Sequence, residues 1–397
     1  MKNAGIICEY NPFHLGHRYQ LQKTAAPDGI KTNAVIAVMS GNFTQRGEAA
    51  VLSKYKRAEI AVKNGADLVL ELPFPYSSSS AEIFGEAGVR ILHALGCVDT
   101  LCFGSETGEI SPLQTVSERM CSEVFRYALS VYLSQNPNKT YRTSVGTVYG
   151  DIYGESFFAE GSNDILALSY LNALKKHDSL IVPTTVKRKG ERYNGEGEGF
   201  ASATSIRSYL QRGDFEKIGA SVPKETADVL IDAFANGRLA LPEKIYPLFA
   251  AMVRTRGKAA FDHIYDISKE LAARLLKYSY ARTMEEFLSL CASRNDSPSR
   301  IRRAMLGVIM NVQKQDVTEV PYTTVLAANG IGRAILKDIR KTTRIPIITK
   351  PADAEKYGDA VSMAFGLSVR ADSVWELLTE KNDFGNRALL EKPIMFD

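Results

Sequence analysis

The sequence predicts an α/β fold, in which a doubly wound parallel sheet is followed by a second, mainly helical α+β domain. Over the first 220 residues, short apolar runs alternate with amphipathic stretches, a pattern typical of parallel sheets. The apolar runs are nearly continuous, which indicates strands covered by helices on both faces. Beyond residue 222 the pattern becomes mostly helical.

The same patterns predict the individual elements. Strands are expected at residues 4–8, 33–39, 67–72, 99–103 and 179–186, separated by helices at 16–26, 53–64, 80–95, 111–134 and 162–176. In the second part, helices are expected at 225–235, 298–313, 331–340 and 358–377, and short strands at 322–327 and 345–349. We place the domain boundary near residue 220, which divides the chain into domains 1–220 and 221–397.

The composition is that of an ordinary globular protein, with 45% hydrophobic and 24% charged residues. The N-terminal region has no apolar run long enough for a signal peptide or a membrane span, so we expect a cytoplasmic protein without a membrane partner. The five cysteines have no C-x-x-C spacing and are expected to be reduced thiols, with neither disulfides nor a protein metal site. The net charge of +4 permits a nucleic-acid partner without requiring one.

The most informative motif is Asn11-Pro12-Phe13-His14-Leu15-Gly16-His17, directly after the first predicted strand. Two imidazoles at a strand-to-helix junction are suited to stabilising phosphate groups, because free backbone N–H groups and the helix dipole already favour anions there. His14 and His17 are therefore the candidate catalytic residues. We expect Gly16 to let the base or ribose of a nucleotide approach the backbone. The alternative is a pair of ordinary surface or capping histidines.

Polar segments follow all five predicted strands. After the first come Glu9 to His17, and the other four are Ser40–Gly47, Pro73–Tyr76, Gly104–Glu106 and Lys187–Gly190. Because open parallel sheets bind ligands at the carboxyl ends of their strands, these loops predict one site along that edge. Ordinary turn chemistry would also explain the glycines, serines and prolines.

A second motif, Ser202-Ala203-Thr204-Ser205-Ile206-Arg207, begins another predicted helix. Ser202, Thr204 and Ser205 can cap that helix and still offer hydroxyl groups to a phosphate, and Arg207 follows one turn later. On its own, a plain helix cap with a solvated arginine is the better reading. Together with the two histidines, the phosphate-binding reading is favoured.

Three further residues have open readings from the sequence alone. Asn163 either donates to a ligand or caps its helix, and Gly104 either allows a close approach or forms a turn. Arg188 belongs to a short basic run that is either a phosphate contact or a solvated surface. The cations of the second domain suit RNA phosphates or a solvated helix face equally well. They are Arg300, Arg302, Arg303, Arg333, Lys337, Arg340, Lys341 and Arg344.

The H-x-G-H motif with a downstream Ser/Thr-rich helix start and arginine resembles the HIGH-type nucleotidyltransferase superfamily, which has a Rossmann-like sheet. The resemblance extends, in order, to GIICEYNPFHLGHRYQL, SGNFTQRGEAA, KYKRAEIAVKNGADLVLELP, LCFGSE, SNDILALSYLNAL and SATSIR. These segments are similar to the tRNA(Met) cytidine acetate ligase family. The likeness is close over about residues 1–215 and looser beyond, where PSRIRRAM and VLAANGIGRAILK match best.

This resemblance implies an enzyme, a ligase that forms a C–N bond. Such a ligase activates acetate with ATP as acetyl adenylate, with Mg²⁺ bridging the phosphates. It then acetylates N4 of the wobble cytidine in elongator tRNA(Met), releasing AMP and pyrophosphate. By position, the implied ATP contacts are Ile7, Cys8, Glu9, Tyr10, Asn11, Pro12, Phe13, His14, Leu15, Gly16, His17, Arg18, Tyr19, Gln20, Gly104, Asn163 and Arg188.

Two points complete the expectation. Acetate is small, so a shallow apolar niche near Cys8–Tyr10 is expected to select it, and the second domain is expected to select the tRNA. Two other functions remain as alternatives: a small-molecule nucleotidyltransferase of the same superfamily, and an ATP-sensing RNA-binding protein without turnover.

Overall fold

The computed structural model describes residues 2–29, 31–136, 139, 141–156, 161–189, 200–381 and 387–397. Its strands are β1 (Asn3–Cys8), β2 (Ala34–Ser40), β3 (Leu68–Leu72), β4 (Thr100–Ser105), β5 (Val182–Lys187), β6 (Thr323–Ala328), β7 (Ile347–Ile348) and β8 (Ile394–Met395). Within the described ranges they form one sheet in the order β5-β4-β1-β2-β3-β6-β7, and β8 pairs with β6.

Most helices of the first 220 residues lie close to the predicted positions, but those at 141–153 and 215–221 were not predicted. The helices of this region are α1 (Leu15–Ala25), α2 (Lys54–Lys63), α3 (Ala81–Leu95), α4 (Ile110–Cys121), α5 (Glu123–Gln135), α6 (Tyr141–Tyr153), α7 (Ser162–Lys176), α8 (Ala203–Arg212) and α9 (Phe215–Ser221). The remaining helices are α10 (Lys224–Ala235), α11 (Ile245–Arg256), α12 (Lys269–Lys277), α13 (Met284–Cys291), α14 (Pro298–Met310), α15 (Gly330–Thr342), α16 (Asp359–Glu376) and α17 (Arg387–Leu390).

The first five strands form the doubly wound parallel sheet that the sequence predicts. β2 pairs with β1 and β3, and β4 pairs with β1 and β5, all in parallel. The strand order therefore reverses between β1 and β4, which is the switch point where such sheets bind ligands. Alternate residues of β2 enter different cores: Ile36 and Val38 pack with α3 and α7, whereas Val35 and Ala37 pack with α1 and α2. The predicted coverage of both sheet faces is confirmed.

The single helix predicted over 111–134 is wrong, because the chain breaks at Ser122 into α4 and α5. Ser122 has an extended backbone, with φ −63° and ψ 147°, and its Oγ accepts the N–H of Phe125 at 3.2 Å. A serine that caps the next helix while ending the previous one is a local signal that the hydrophobic periodicity hides.

The C-terminal half adds strands to the same sheet. β6 pairs with β3 in antiparallel orientation, with Leu68 opposite Ala328. A separate core formed by α11–α14 and α16 also includes Phe43 and Phe74, from the loops after β2 and β3. The helical region thus packs directly on the edge where the strands end. The domain boundary at residue 220 stays a prediction.

A buried ionic cluster connects the two halves. Lys54 Nζ lies 2.8 Å from Glu71 Oε1 and 2.6 Å from Asp372 Oδ2. Asn42 Nδ2 also donates to Asp372 Oδ1, at 2.9 Å. Burial alone would lower the pKa of Lys54, but Asp372 and Glu71 raise it well above its usual value. The cluster therefore holds a charged lysine between the sheet and α16.

Two wider features of the chain bear on the expectations above. In the part that the structure describes, no helix has both the length and the apolarity to cross a membrane. The cysteines, all within described ranges, are free thiols.

Candidate active site

A cavity of about 620 Å³ lies at the carboxyl ends of β1, β4 and β5, at the switch point of the sheet. Most of the site residues predicted from the sequence line it. They are Ile7, Cys8, Glu9, Tyr10, Asn11, His14, Gly16, His17, Tyr19, Gln20, Gly104, Asn163, Arg188, Ser202, Thr204 and Arg207. The structure therefore brings together five separate chain segments that the sequence singled out: 7–20, Gly104, Asn163, Arg188 and 202–207.

Five predicted residues lie outside this lining, as far as the described residues define it: Pro12, Phe13, Leu15, Arg18 and Ser205. Phe13 is fully buried in the core beneath α1, and Arg18 is exposed. Ser205 donates its backbone N–H to Ser202 Oγ at 3.1 Å, so it completes the cap of α8. Their role as direct ATP contacts stays a prediction.

His14 and His17 form a reciprocal cap at the start of α1. His14 Nδ1 accepts the N–H groups of Gly16 and His17, at 3.1 and 3.4 Å, and His17 Nδ1 accepts the N–H of His14 at 3.3 Å. The two rings are stacked, with centroids 3.6 Å apart and an angle of 23° between their planes. The capping interpretation and the phosphate interpretation are therefore compatible, since each ring uses one nitrogen for the helix.

The state of Nε2 in each ring follows from the ring's protonation state and from the hydrogen bonds that Nδ1 accepts. Burial, aided by the charge of Arg188, lowers the pKa of His14 to about 4, and burial with His14 nearby lowers the pKa of His17 well below its usual value. Both rings are thus neutral near pH 7. Because both Nδ1 atoms accept hydrogen bonds, the ring hydrogens are assigned to the Nε2 atoms. Two N–H donors are left for a ligand in the cavity.

The structure explains why position 16 is a glycine, which the sequence alone did not reveal. A Cβ at this position would lie 2.9 Å from Cε1 and 3.0 Å from Nδ1 of His14. Any side chain would therefore push the His14 ring away from its capping position. The glycine makes room for the histidine itself, and an approach by the nucleotide stays a prediction.

Arg207 is fixed mainly by the protein. Its guanidinium donates to the backbone carbonyl of Asn11 at 2.8 Å and to Glu48 at 3.0 Å. Asn11 Oδ1 in turn accepts the N–H of Val51 at 2.8 Å. The second motif thus braces the first, and a direct contact from Arg207 to a phosphate stays a prediction.

A second polar cluster lies beyond the end of β4. Glu106 accepts the Nδ2 of Asn163 at 2.8 Å and the backbone N–H of Asp164 at 2.9 Å, so its carboxylate caps α7. Asn163 Oδ1 accepts a hydrogen bond from Arg188 at 2.7 Å. Burial and the neighbouring Glu106 raise the pKa of Asp164 to about 6. Asn163 and Arg188 are therefore a connected pair that lines the cavity.

The loop after β2 contributes more than the sequence indicated. Thr44, Gln45, Arg46 and Glu48 all line the cavity. Arg57, fully buried on α2, donates to the carbonyls of Glu9 at 2.6 Å and Ser40 at 3.1 Å, which ties the loops after β1 and β2 together. A buried arginine on a helix has no distinctive sequence signal, so its role was missed.

The start of α14 closes the cavity from the C-terminal half. Ser297, Ser299 and Arg303 line the cavity, and Arg303 donates to the carbonyl of Gln45 at 3.3 Å. Gly47 has φ +72°, and a Cβ there would lie 2.7 Å from the backbone nitrogen of Arg303. Gly47 is therefore needed so that α14 can approach the loop after β2 closely. The sequence alone does not reveal this packing contact.

The arginines of α14 are not a free basic face. Arg300 pairs with Asp266 at 2.9 Å and Asp296 at 3.1 Å, and Arg302 lies 3.6 Å from Glu48. Burial lowers the pKa of Arg303. None of these three side chains is freely solvated, and a contact from them to RNA phosphates stays a prediction.

The side chains that line the cavity near β1 are uncharged or already bonded to other protein groups. Burial raises the pKa of the Cys8 thiol to about 12 and also raises the pKa of Glu9, whose carboxylate accepts the N–H of Gln45 at 2.6 Å. Glu48 is taken up by two arginines. Among the described residues, no three His, Cys, Asp or Glu side chains come together to hold a metal ion. These described side chains therefore do not by themselves form a protein cage for Mg²⁺.

Comparison with known proteins identifies the family of this chain. The family model described as HIGH Nucleotidyl Transferase matches residues 1–388. The tRNA(Met) cytidine acetate ligase of Thermoanaerobacter sp. (strain X514) is 38% identical over 359 residues, covering 87% of this chain and 88% of the relative. The ligase of the same name from Acetivibrio thermocellus is 33% identical over 379 residues, covering 91% of both chains.

Solved structures show the same likeness. The crystal structure of Thermotoga maritima TmcAL bound with alpha-thio ATP superposes with a TM-score of 0.90 at 29% identity, over 100% of both chains. The apo form of that protein gives a TM-score of 0.91 at 31% identity, again over 100% of both chains. The Rossmann-like fold predicted from the sequence is confirmed. With its fold, the two histidines that cap α1 and this similarity over nearly the whole length, the chain belongs to the tRNA(Met) cytidine acetate ligase family of HIGH nucleotidyl transferases.

Proposed function

We propose that this protein is an ATP-dependent ligase that forms acetyl-AMP from acetate and ATP and transfers the acetyl group to N4 of the wobble cytidine of elongator tRNA(Met). The observation that carries this proposal is the stacked, neutral His14–His17 pair, which leaves two Nε2–H donors in a cavity of about 620 Å³. The choice of substrates is supported by relatives that are named tRNA(Met) cytidine acetate ligase and that align with this chain over most of their length.

In the first step an acetate oxygen attacks the α-phosphorus of ATP, and the bond from that phosphorus to pyrophosphate breaks. Negative charge grows on the phosphate oxygens as this occurs, so fixed donors lower the barrier. His14 and His17 supply two such donors without changing their own protonation. The N-terminus of α1 adds its dipole at the same place.

The cations at the end of β5 would neutralise the rest of the triphosphate. Lys187, Arg188 and Lys189 line the cavity there, and Arg188 is oriented by Asn163. Mg²⁺ would be held mainly by ATP itself, because Glu9 and Glu48, the carboxylates among the described cavity residues, are engaged with protein donors. No step of the proposed reaction depends on a protein-bound metal.

In the second step the cytidine amine attacks the acetyl carbonyl carbon. The bond from that carbon to the AMP oxygen breaks, AMP departs, and the amine releases a proton to solvent. The acetyl group would rest near Cys8, where the thiol stays protonated and the wall stays uncharged. Exclusion of water protects the mixed anhydride from hydrolysis.

The C-terminal half would select the tRNA. On α15, the exposed cations Arg333, Lys337, Arg340 and Lys341 form a basic face suited to RNA phosphates. A tRNA substrate and reduced thiols also agree with reaction in the cytoplasm.

One experiment separates this function from its alternatives. The protein is incubated with ATP, labelled acetate and purified tRNA, and the nucleosides are then analysed. Label in N4-acetylcytidine of elongator tRNA(Met), with release of AMP, is the expected result. A dinucleotide product without labelled RNA would favour a small-molecule nucleotidyltransferase. ATP binding without AMP release would favour an ATP-sensing RNA-binding protein.

A further inference from the structure

The nucleotide cavity at the switch point of the sheet has an apolar wall. The side chains that form it pack in the core between the sheet, α3 and α7, and all of them border the cavity. The apolar wall consists of Ile7, Phe84, Phe103, Leu166 and Tyr170. In the reaction proposed above the acetyl group lies near Cys8, the residue after Ile7, and no feature of the protein has yet been assigned to limit the length of the acid.

The apolar wall adjoins the predicted phosphate site. Asn163, Leu166 and Tyr170 all line the cavity, and their spacing of three and four residues puts them on one face of α7. Leu166 lies about one helical turn from Asn163, and Tyr170 about two turns. Asn163 accepts a hydrogen bond at 2.7 Å from Arg188, one of the cations expected to bind the triphosphate. A group on the apolar wall would therefore lie next to the phosphates of ATP.

The apolar wall and the two histidines approach this point from different faces of the sheet. The wall belongs to the core under α3 and α7, whereas His14 and His17 cap α1, which packs on the opposite face. An acid on the apolar wall would therefore reach the α-phosphorus from the side that the histidines leave open.

Tyr170 gives the apolar wall a polar atom. The residue is only 4% exposed, and its hydroxyl has no hydrogen bond to another described residue. Burial, with the charges of Glu9 and Cys8 nearby, raises the pKa of Tyr170, so the hydroxyl keeps its proton and faces two other residues of the cavity lining. A buried donor without a partner points to an acceptor in the cavity. Arg46 also lines the cavity, close enough to Glu9 to oppose the rise of its pKa, and adds a positive charge at this end.

The core beneath the apolar wall is closed by tight packing of α3. A Cβ at Gly85 would lie 2.9 Å from Cβ of Ser169, the residue before Tyr170. A Cβ at Gly88 would lie 2.7 Å from Cδ1 of Ile7. Helix α3 therefore approaches both α7 and β1 too closely to leave a channel behind the wall.

Resting on the proposed function, we propose that the apolar wall holds the methyl group of acetate while the Tyr170 hydroxyl donates to one carboxylate oxygen. The other oxygen then faces the α-phosphorus, which it attacks. A longer acid would have to separate α3 from its neighbours, so the wall selects acetate by length. Adenine fits this wall less well, because a single hydroxyl would leave most of its nitrogen atoms without hydrogen-bond partners.

The first variant enlarges the space available to the acid. Leu166→Ala removes half-buried atoms of the apolar wall, and we expect it to raise kcat/KM for propionate relative to acetate by about tenfold or more. The measurement is exchange of pyrophosphate into ATP by the full-length protein, with acetate, propionate or butyrate as the acid.

The matched control is Leu174→Ala, two turns further along α7. Leu174 is buried in the same core but is not among the described residues that line the cavity. Its truncation removes the same atoms from the same helix, so we expect the propionate-to-acetate ratio of wild type.

A second variant keeps the test decisive if Leu166→Ala does not fold. Tyr170→Phe removes the hydroxyl and retains the ring that packs against Phe103. We expect the KM for acetate to rise about tenfold, because one hydrogen bond to the carboxylate is lost, while the KM for ATP stays within about twofold of wild type.

Several results would overturn the proposal. They are an unchanged propionate-to-acetate ratio in Leu166→Ala, an equal rise of that ratio in Leu174→Ala, and a wild-type KM for acetate in Tyr170→Phe. A rise in the KM for ATP instead of acetate would also overturn it and would indicate that adenine occupies the wall. Failure of the wild-type protein to exchange pyrophosphate with any of the three acids would instead contradict the proposed function.

Discussion

Two buried polar clusters lie near the loop after β2, and they differ in what their atoms bind. Lys54, Glu71 and Asp372 satisfy one another within the protein. His14 and His17 satisfy only their Nδ1 atoms and keep two donors for a ligand. A cluster whose bonds close on themselves serves the fold, whereas one with spare donors at a cavity serves a substrate. The same loop holds both, since Asn42 contacts Asp372 and Gln45 lines the cavity.

The largest expected effect tests the structural cluster. Lys54→Met leaves Glu71 and Asp372 buried without their cation, and we expect it to lower the free energy of unfolding by about 3–5 kcal/mol. Chemical denaturation at neutral pH measures this loss. The matched control is Lys56→Met on the same helix, whose exposed pair with Glu59 is worth less than about 1 kcal/mol.

Replacing the whole cluster sharpens this result. The triple variant Lys54→Met, Glu71→Gln, Asp372→Asn has no unpaired charge, so we expect it to recover much of the stability lost in Lys54→Met. If Lys54→Met and Lys56→Met unfolded alike, the cluster would not stabilise the junction of the two halves.

The next effect tests the histidine pair. His14→Asn keeps a side chain that can cap α1 but removes the Nε2–H donor. We expect acetate-dependent pyrophosphate exchange to fall about 10²–10³-fold, because one preorganised donor to a developing charge is lost. The melting temperature should stay close to that of wild type. Undiminished exchange in this variant would show that the pair serves only the helix.

The sequence predicted the helix start at His14–His17 and the capping by Ser202, because both depend on residues near in sequence. It also predicted the edge of the sheet that holds the site, since strand polarity decides which loops meet. The contribution of Arg303 depends on the packing of α14 against Gly47, more than 250 residues earlier. Such a contact follows from tertiary packing, which hydrophobic periodicity does not encode.

The antiparallel strand β6 is a similar case. Its apolar sequence predicts a strand, but its partner β3 lies far away along the chain. Neither the pairing nor its direction follows from local pattern, because the edge of a parallel sheet accepts a strand in either orientation. Arg57 was missed for the same reason: its hydrogen bonds join the ends of two strands that only the folded sheet brings together.

The third prediction concerns acid stability. The unfolded His14 takes up a proton as the pH falls through its usual pKa of 6.5, whereas the folded residue resists protonation until about pH 4. The unfolded state therefore binds more protons between these values, and stability falls as the pH is lowered. We expect His14 to account for about 2 kcal/mol of lost stability at pH 5 relative to neutral pH. Thermal melts at pH 7 and 5 should show a larger decrease for wild type than for His14→Asn, and equal decreases would contradict the neutral state of the ring.

The smallest expected effect concerns Arg207. The variant tests whether this residue stabilises the protein around His14 or binds the substrate. Its bonds to Asn11 and Glu48 close within the protein, yet the side chain lines the nucleotide cavity. Arg207→Lys keeps the positive charge but loses the planar fork that reaches both partners. If Arg207 mainly braces the His14 loop, this variant lowers kcat for pyrophosphate exchange about tenfold and leaves the KM for ATP nearly unchanged. If Arg207 instead binds a phosphate in the ground state, the KM for ATP rises and kcat is kept. We expect the first outcome, because a guanidinium held by a backbone carbonyl and a carboxylate has little freedom to follow a ligand.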